Sequence, residues 1–213
     1  MRMKYEYGDL EYEGENFYCY PGSNVLMNKF NIKDSDKLQE IERKISYVNI
    51  VYLAENPLKG ILNLKYLQKI HKYIFWDIYT WAGHIRGGKF FAKGETLFCV
   101  ADMIPAYAEN IFSKMHTERW LRGLVRDKFI ERSAYYMGEI NALHPFREGN
   151  GRTQRVFFVE LARRAKYELD YSQAEPDELL GADIAAYNKD FSLLTALLDM
   201  MLTRIGGGSG DEA

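Results

Sequence analysis

From Leu38 onward, apolar residues recur at intervals of three and four. Leu38, Ile41, Ile45, Val48 and Tyr52 fall on one helix face, with Asp34 or Ser35 as its cap and Asn56-Pro57 as its end. Leu64, Leu67, Ile70, Ile74 and Phe75 mark a second helix, from which Trp81-Ala82-Gly83 breaks out. Residues 85–100 change period. Gly87-Gly88 and Gly94 punctuate a run with Phe90, Phe91, Leu97 and Phe98, which predicts a short hairpin. Helical spacing resumes over residues 101–118 and then from Asp127, a candidate cap, to Leu143. Further helices are predicted over 152–166, from Pro176, and over 191–205. The expected fold class is all-α, a helical bundle with one β-hairpin flap.

Before Asn31 the pattern is lost. Tyrosine, acid and glycine dominate, so residues 1–33 read as an irregular, loosely ordered arm. Residues 34–205 form the domain, and the Gly/Ser-rich 206–213 a flexible linker or tail.

Composition narrows the function classes. Hydrophobic content of 47% and charged content of 27% suit one well-cored domain. A net charge of -2 argues against a bulk electrostatic grip on DNA. Cys19 and Cys99 form neither a disulfide framework nor a zinc pattern, and no apolar span or signal-peptide layout is present, so no membrane insertion is expected.

The chemistry concentrates between His144 and Arg155. Pro145 disfavours helical geometry at His144, so the helix is expected to stop there and present the imidazole as a base. Glu148 is a candidate Mg²⁺ ligand, because magnesium takes one or two carboxylates beside phosphate oxygens and water. Gly149 and Gly151 permit close backbone approach to an anion at a helix N-terminus. Asn150 tolerates a left-handed backbone and can hydrogen-bond a phosphate or the loop itself. Arg152 and Arg155 share a helix face near the N-terminus, where cations oppose the helix dipole unless an anion is bound. Arg147, Arg163 and Arg164 read as solvated. Base, metal carboxylate and phosphate turn together point to phosphoryl or nucleotidyl transfer.

This segment resembles the Fic family, whose signature reads His-Pro-Phe-x-Asp/Glu-Gly-Asn-Gly-Arg-x-x-Arg. Every specified position is met from His144 to Arg155. Tyr79 to Arg86 and Lys93-Gly94-Glu95-Thr96 also look like the family's approach to its flap. Tyr18 to Asn24 and Gly151 to Phe158 are most similar to the Fic domains of translocated Bartonella effector proteins.

The resemblance implies protein adenylylation, with ATP as co-substrate and Mg²⁺ as cofactor. His144 would deprotonate a target hydroxyl and Glu148 would hold Mg²⁺. Gly149, Asn150, Gly151, Arg152 and Arg155 would bind the phosphates. The flap, about residues 86–99, would hold the target as an added strand through Lys89, Phe90, Phe91, Lys93, Gly94, Glu95 and Thr96. Tyr187 and Asn188 fall where the family often contacts the nucleoside.

Many relatives carry an inhibitory Ser/Thr-x-x-x-Glu-Gly/Asn helix. Glu13, Glu15, Glu55, Glu109 and Glu148 precede Gly or Asn, but none has Ser or Thr four residues earlier. The implication is then either a separate small antitoxin-like helical partner docking at Arg155 or no such restraint. The implied target is a host small GTPase of the Rho type, reached from the bacterial cytoplasm by translocation into the host cell. The alternatives are a toxin-like enzyme acting on a bacterial topoisomerase and a catalytically idle scaffold.

Overall fold

Asp34 starts the first helix by accepting a hydrogen bond from Lys37 N at 2.8 Å. The computed structural model describes residues 16–88, 91–94 and 96–205, and the elements below lie within them. Helix α1 (Ser35–Glu55) is followed by α2 (Leu64–Phe75), which Asn63 caps through Tyr66 N at 3.0 Å. Strands β1 (Ala92–Lys93) and β2 (Thr96–Leu97) pair antiparallel, with Ala92 opposite Leu97 and Lys93 opposite Thr96. This is the expected hairpin.

Helices α3 (Ile104–Thr117), α4 (Arg126–Leu143) and α5 (Asn150–Arg164) follow. α4 lies centrally and packs on α3, α5 and the later helices α6 (Pro176–Tyr187) and α7 (Ser192–Met201). Its buried face carries Phe129, Ile130, Ala134, Met137, Ile140 and Leu143. Phe157, Phe158, Leu161 and Ala162 of α5 complete the core behind the site. Burial on this scale is what sets the end of α4 and the start of α5 rigidly side by side. The result is the mostly helical fold with a hairpin flap that the sequence pattern predicts. Among the described residues no helix is long and apolar enough to cross a membrane.

The structure departs from the sequence reading in several places. The last helix stops at Met201, and β4 (Leu202–Arg204) pairs with β3 (Tyr167–Leu169), Leu202 facing Leu169. Nothing local to residues 202–204 announces this, because a strand needs a partner and here the partner is distant in sequence. Val125, not Asp127, occupies the cap of α4, and Asp127 sits in its first turn, where its charge favours the helix dipole. Residues 16–33 are irregular but docked: Tyr18 and Cys19 are buried, and Tyr18 Oη accepts from Gly87 N at 2.9 Å. The rest of the arm and residues 206–213 lie outside the described residues.

Candidate active site

Helix α4 ends at Leu143, and His144 turns into the left-handed region with φ 42° and ψ 61°. Its Nδ1 lies 3.2 Å from Asn141 O. A carbonyl oxygen only accepts, so this contact assigns the ring proton to Nδ1 and leaves the lone pair on Nε2. Nε2 is buried and has no hydrogen-bond partner among the described residues. The ring stacks on Phe98, centroids 3.6 Å apart, with Phe91 at 5.7 Å. Burial, and then the nearby Lys93 charge, hold its pKa well below the usual 6.5. The imidazole is therefore neutral, oriented and available as an acceptor.

The loop after His144 is held almost entirely by its carbonyls. Arg86 donates from Nε to His144 O at 2.8 Å and from its backbone N to Pro145 O at 2.9 Å. Asn150 accepts from Phe146 N at 2.9 Å and donates to Phe146 O at 2.7 Å. His71 lies 2.9 Å from Glu148 O, and Thr153 takes Gly149 O through N and Oγ1. The amides of Asn150, Gly151 and Arg152 donate to no group among the described residues, so the first turn of α5 is able to take an anion. Asn150 thus contributes its backbone there, because its side chain is spent on Phe146.

Gly149 caps α5 with φ 82°, and a Cβ there would lie 2.2 Å from the Phe75 ring. Both backbone and space demand glycine. Gly151 lies inside the helical turn and has no such requirement on φ.

The Glu148 side chain is 23% exposed. Burial pushes its pKa up, but Lys93 at 3.3 Å, Arg152 at 3.6 Å and the Gly149 N–H bring it down to about 2. It is ionised at any physiological pH. Among the described residues no cluster of three His, Cys, Asp or Glu is poised to hold a metal, so Glu148 is the candidate ligand on its own.

The two arginines differ. Arg152 donates from Nη2 to Glu42 Oε1 at 2.5 Å and from Nη1 to Ser46 Oγ at 3.0 Å, and lies over Phe75 at 4.7 Å. Glu42 also accepts from Tyr79 Oη. At a helix N-terminus Arg152 needs an anion nearby, and here the Glu42 carboxylate of α1 supplies one, while the residue still lines the cleft. Arg155 makes no hydrogen bond or ion pair among the described residues. Opposite it, burial raises the Asp183 carboxyl to about 6 against the opposing pull of Arg155.

Arg147 is not solvated: it is buried, with its guanidinium 5.5 Å from the Phe91 ring. Arg163 and Arg164 both pair with Glu160, at 2.8 and 2.5 Å.

His144, Glu148, Gly149, Gly151, Arg152 and Arg155 line a cleft of about 1460 Å³, roofed on the flap side by Lys93, Thr96 and Phe98. Phe91 points into the core and Gly94 turns the hairpin with φ 57°. Lys89, Phe90 and Glu95 lie outside the described residues. Tyr187 buttresses the flap, its hydroxyl donating to Leu97 O at 2.5 Å. Asn188 ends α6, exposed and bonded to Ile184 O. Neither is among the residues lining the cleft, although Tyr187 sits against the cleft residue Phe98, ring centroids 6.3 Å apart.

Sequence reasoning missed Glu42, His71, Phe98 and Asn141 as parts of the site. Glu42 and His71 sit on regular helices and carry no local mark; only a buried polar position among apolar neighbours would have singled them out.

The Fic/DOC family model matches residues 61–162. The protein adenylyltransferase VbhT of Bartonella schoenbuchensis is 40% identical over 194 residues, covering 91% of this chain and 40% of VbhT. The probable protein adenylyltransferase y4lH of Sinorhizobium fredii is 38% identical over 192 residues, covering 88% of this chain and 96% of its own length. This chain therefore spans less than half of one relative and nearly all of the other. Among solved structures, BepC, a VirB-translocated Bartonella effector protein with bound AMPPNP from Bartonella tribocorum, matches with a TM-score of 0.86 at 26% identity, covering 91% of this chain and 99% of that one. A Bartonella quintana Fic domain with bound ADP matches with a TM-score of 0.85 at 26% identity, covering 89% and 95%.

Proposed function

The chain belongs to the Fic/DOC family, whose relatives here are named protein adenylyltransferases, and from that premise we propose that it transfers AMP from ATP to a hydroxyl side chain of a target protein. One observation carries the reading. His144 Nε2 is a buried lone pair without a partner among the described residues, and His144 lines the same cleft as the ionised Glu148 and the first turn of α5.

In this reading Nε2 accepts the proton of the target hydroxyl. The oxygen attacks the α-phosphorus, the bond to the β-phosphate oxygen breaks, and pyrophosphate leaves. The Nδ1 contact to Asn141 O and the stack on Phe98 stabilise and aim the imidazolium that forms. The amides of Asn150, Gly151 and Arg152 receive phosphate oxygens, with the guanidiniums of Arg152 and Arg155 beyond them. This is catalysis by placement and fixed charge.

Glu148 fits a magnesium ion: it is a hard oxygen donor, ionised and beside the phosphate turn. When bound, the ion would neutralise phosphate charge. The flap strand edge suits a target segment added as a strand, with Lys93 beside the reacting centre.

Finer proposals follow from the relatives. An effector role, with a host small GTPase of the Rho type as target after translocation from the bacterial cytoplasm, is supported by the likeness to VirB-translocated Bartonella effectors. A small antitoxin-like partner is supported by Arg155, which lines the cleft and makes no ion pair among the described residues, with Asp183 as its nearby carboxyl.

The test is incubation with magnesium and α-labelled or γ-labelled ATP, in host-cell and in bacterial lysate. Label from the α position on a protein band, absent with His144→Ala, is expected. Label from the γ position alone would mean phosphorylation, and a band only in bacterial lysate would replace the host target with a bacterial one.

A further inference from the structure

His71 on α2 has no part in the chemistry above, yet it is fully buried and makes two directed polar contacts. Gly83 N donates to Nδ1 at 2.7 Å, and Nε2 lies 2.9 Å from Glu148 O. An amide N–H only donates, so Nδ1 carries the lone pair, and the neutral ring holds its proton on Nε2, which donates to Glu148 O. This tautomer is the opposite of the one at His144. The ring is stacked on Phe146, centroids 4.0 Å apart, and flanked by Phe75 at 4.8 Å.

The peptide that His71 holds is the one in the loop most able to turn over. Rotating the Glu148–Gly149 peptide changes chiefly ψ of Glu148 and φ of Gly149, and glycine accepts either sign of φ. In the observed orientation Gly149 N–H donates to the Glu148 carboxylate at 2.9 Å and the carbonyl points back to α2. Turned over, the peptide would withdraw that donor and bring a carbonyl oxygen to the side of the carboxylate and the free amides. The dipole would then oppose both the ionised carboxylate and a phosphate.

The other end of the link is equally constrained. Gly83 has φ 84°, and a Cβ there would lie 2.7 Å from Lys72 Cβ, so its N–H is presented to His71 by a turn packed hard against α2. That turn leads directly to Arg86, which grips His144 O and Pro145 O.

We propose that His71 is a positioning residue that locks the Glu148–Gly149 peptide with its N–H toward the carboxylate and its carbonyl away from the phosphate site. The proposal rests on the nucleotide-transfer reading and deepens it, since it assigns the residue that keeps the anion turn in its binding form.

Three variants separate this role from packing. His71→Gln keeps an amide N–H near the position of Nε2 and so a donor to Glu148. His71→Asn keeps an acceptor for Gly83 but is too short to reach Glu148. His71→Phe keeps the ring and neither bond. Affinities for AMPPNP with magnesium and for adenosine, which lacks phosphates, are measured by calorimetry, with Tm as control.

A lost charge-assisted contact predicts that the AMPPNP Kd rises about tenfold or more in the Asn and Phe variants. His71→Gln should stay within about threefold of wild type, and adenosine affinity should hold throughout. Equal AMPPNP binding in His71→Asn and wild type overturns the lock. So does a loss that follows Tm and falls on Gln and Asn alike. If wild type binds no AMPPNP, the functional reading fails and takes the lock with it. If wild type binds it and His71→Asn binds equally well, the lock alone fails. NMR of the wild-type ring needs no variant: a proton on Nε2 is expected, and a proton on Nδ1 overturns the proposal.

Discussion

Glu42 on α1 and the cleft residue Arg152 on α5 form an ion pair 2.5 Å long. Tyr79 shares the same carboxylate, and Ser46 takes a second guanidinium N–H. An arginine in the first turn of a helix opposes the dipole, so this pair is what makes the position tenable. Glu42→Gln should destabilise the fold by about 1–3 kcal/mol in urea unfolding, since Arg152 would lose the nearer of its two carboxylates, keeping only Glu148 at 3.6 Å. It should also raise KM for ATP more than it lowers kcat, because Arg152 is expected to act on phosphate binding.

His144→Ala should lower label transfer by about 10²- to 10⁴-fold without loss of ATP binding, the range for removal of a general base. The pH profile carries a sharper test. The base works when neutral, and burial with the Lys93 charge depresses its pKa well below 6.5. The acid limb of kcat/KM should therefore fall well below pH 6.5, and a limb at that value would place His144 in an exposed setting.

Folding stability should decline in acid for a related reason. Burial drives the pKa of His71 to about 4 from 6.5 in the unfolded chain. Between these values the unfolded state binds the extra proton, so stability is present above pH 6.5 and lost as pH falls toward 4. The loss from this residue amounts to about 3 kcal/mol. Urea midpoints across that range should show it, and His71→Gln should flatten the slope.

Gly149→Ala should abolish ATP binding or folding. A methyl group there would meet Phe75 at 2.2 Å with φ at 82°. Circular dichroism and calorimetry on the same sample would show which of the two is lost.

Arg119, Trp120 and Leu121 form a left-handed turn, with φ of 55°, 52° and 60°. Arg119 is exposed, so Arg119→Gly removes backbone strain at little cost in contacts. Thermal unfolding should show a gain on the order of 1 kcal/mol, with activity unchanged.

The helices were legible because their information is local. Leu38, Leu67, Ile74 and Ile140 repeat at helical spacing, and burial confirms each on the core side. β4 was not legible, since its pairing with β3 depends on where α7 delivers the chain. The motif from His144 to Arg155 was legible as chemistry for the same local reason: base, carboxylate, glycines and arginines are contiguous.

By itself, then, the sequence determined the helical architecture, the hairpin and the inventory of reactive groups. The tertiary structure alone decided their states. It left the His144 lone pair on Nε2 by setting Asn141 O against Nδ1, made His71 its opposite by setting Gly83 N there, and turned Arg152 toward Glu42 while leaving Arg155 to the cleft. The physical reason is common to all four. Protonation, tautomer and side-chain direction follow from burial and from hydrogen-bond partners on other elements, and a linear pattern does not carry the distances between elements.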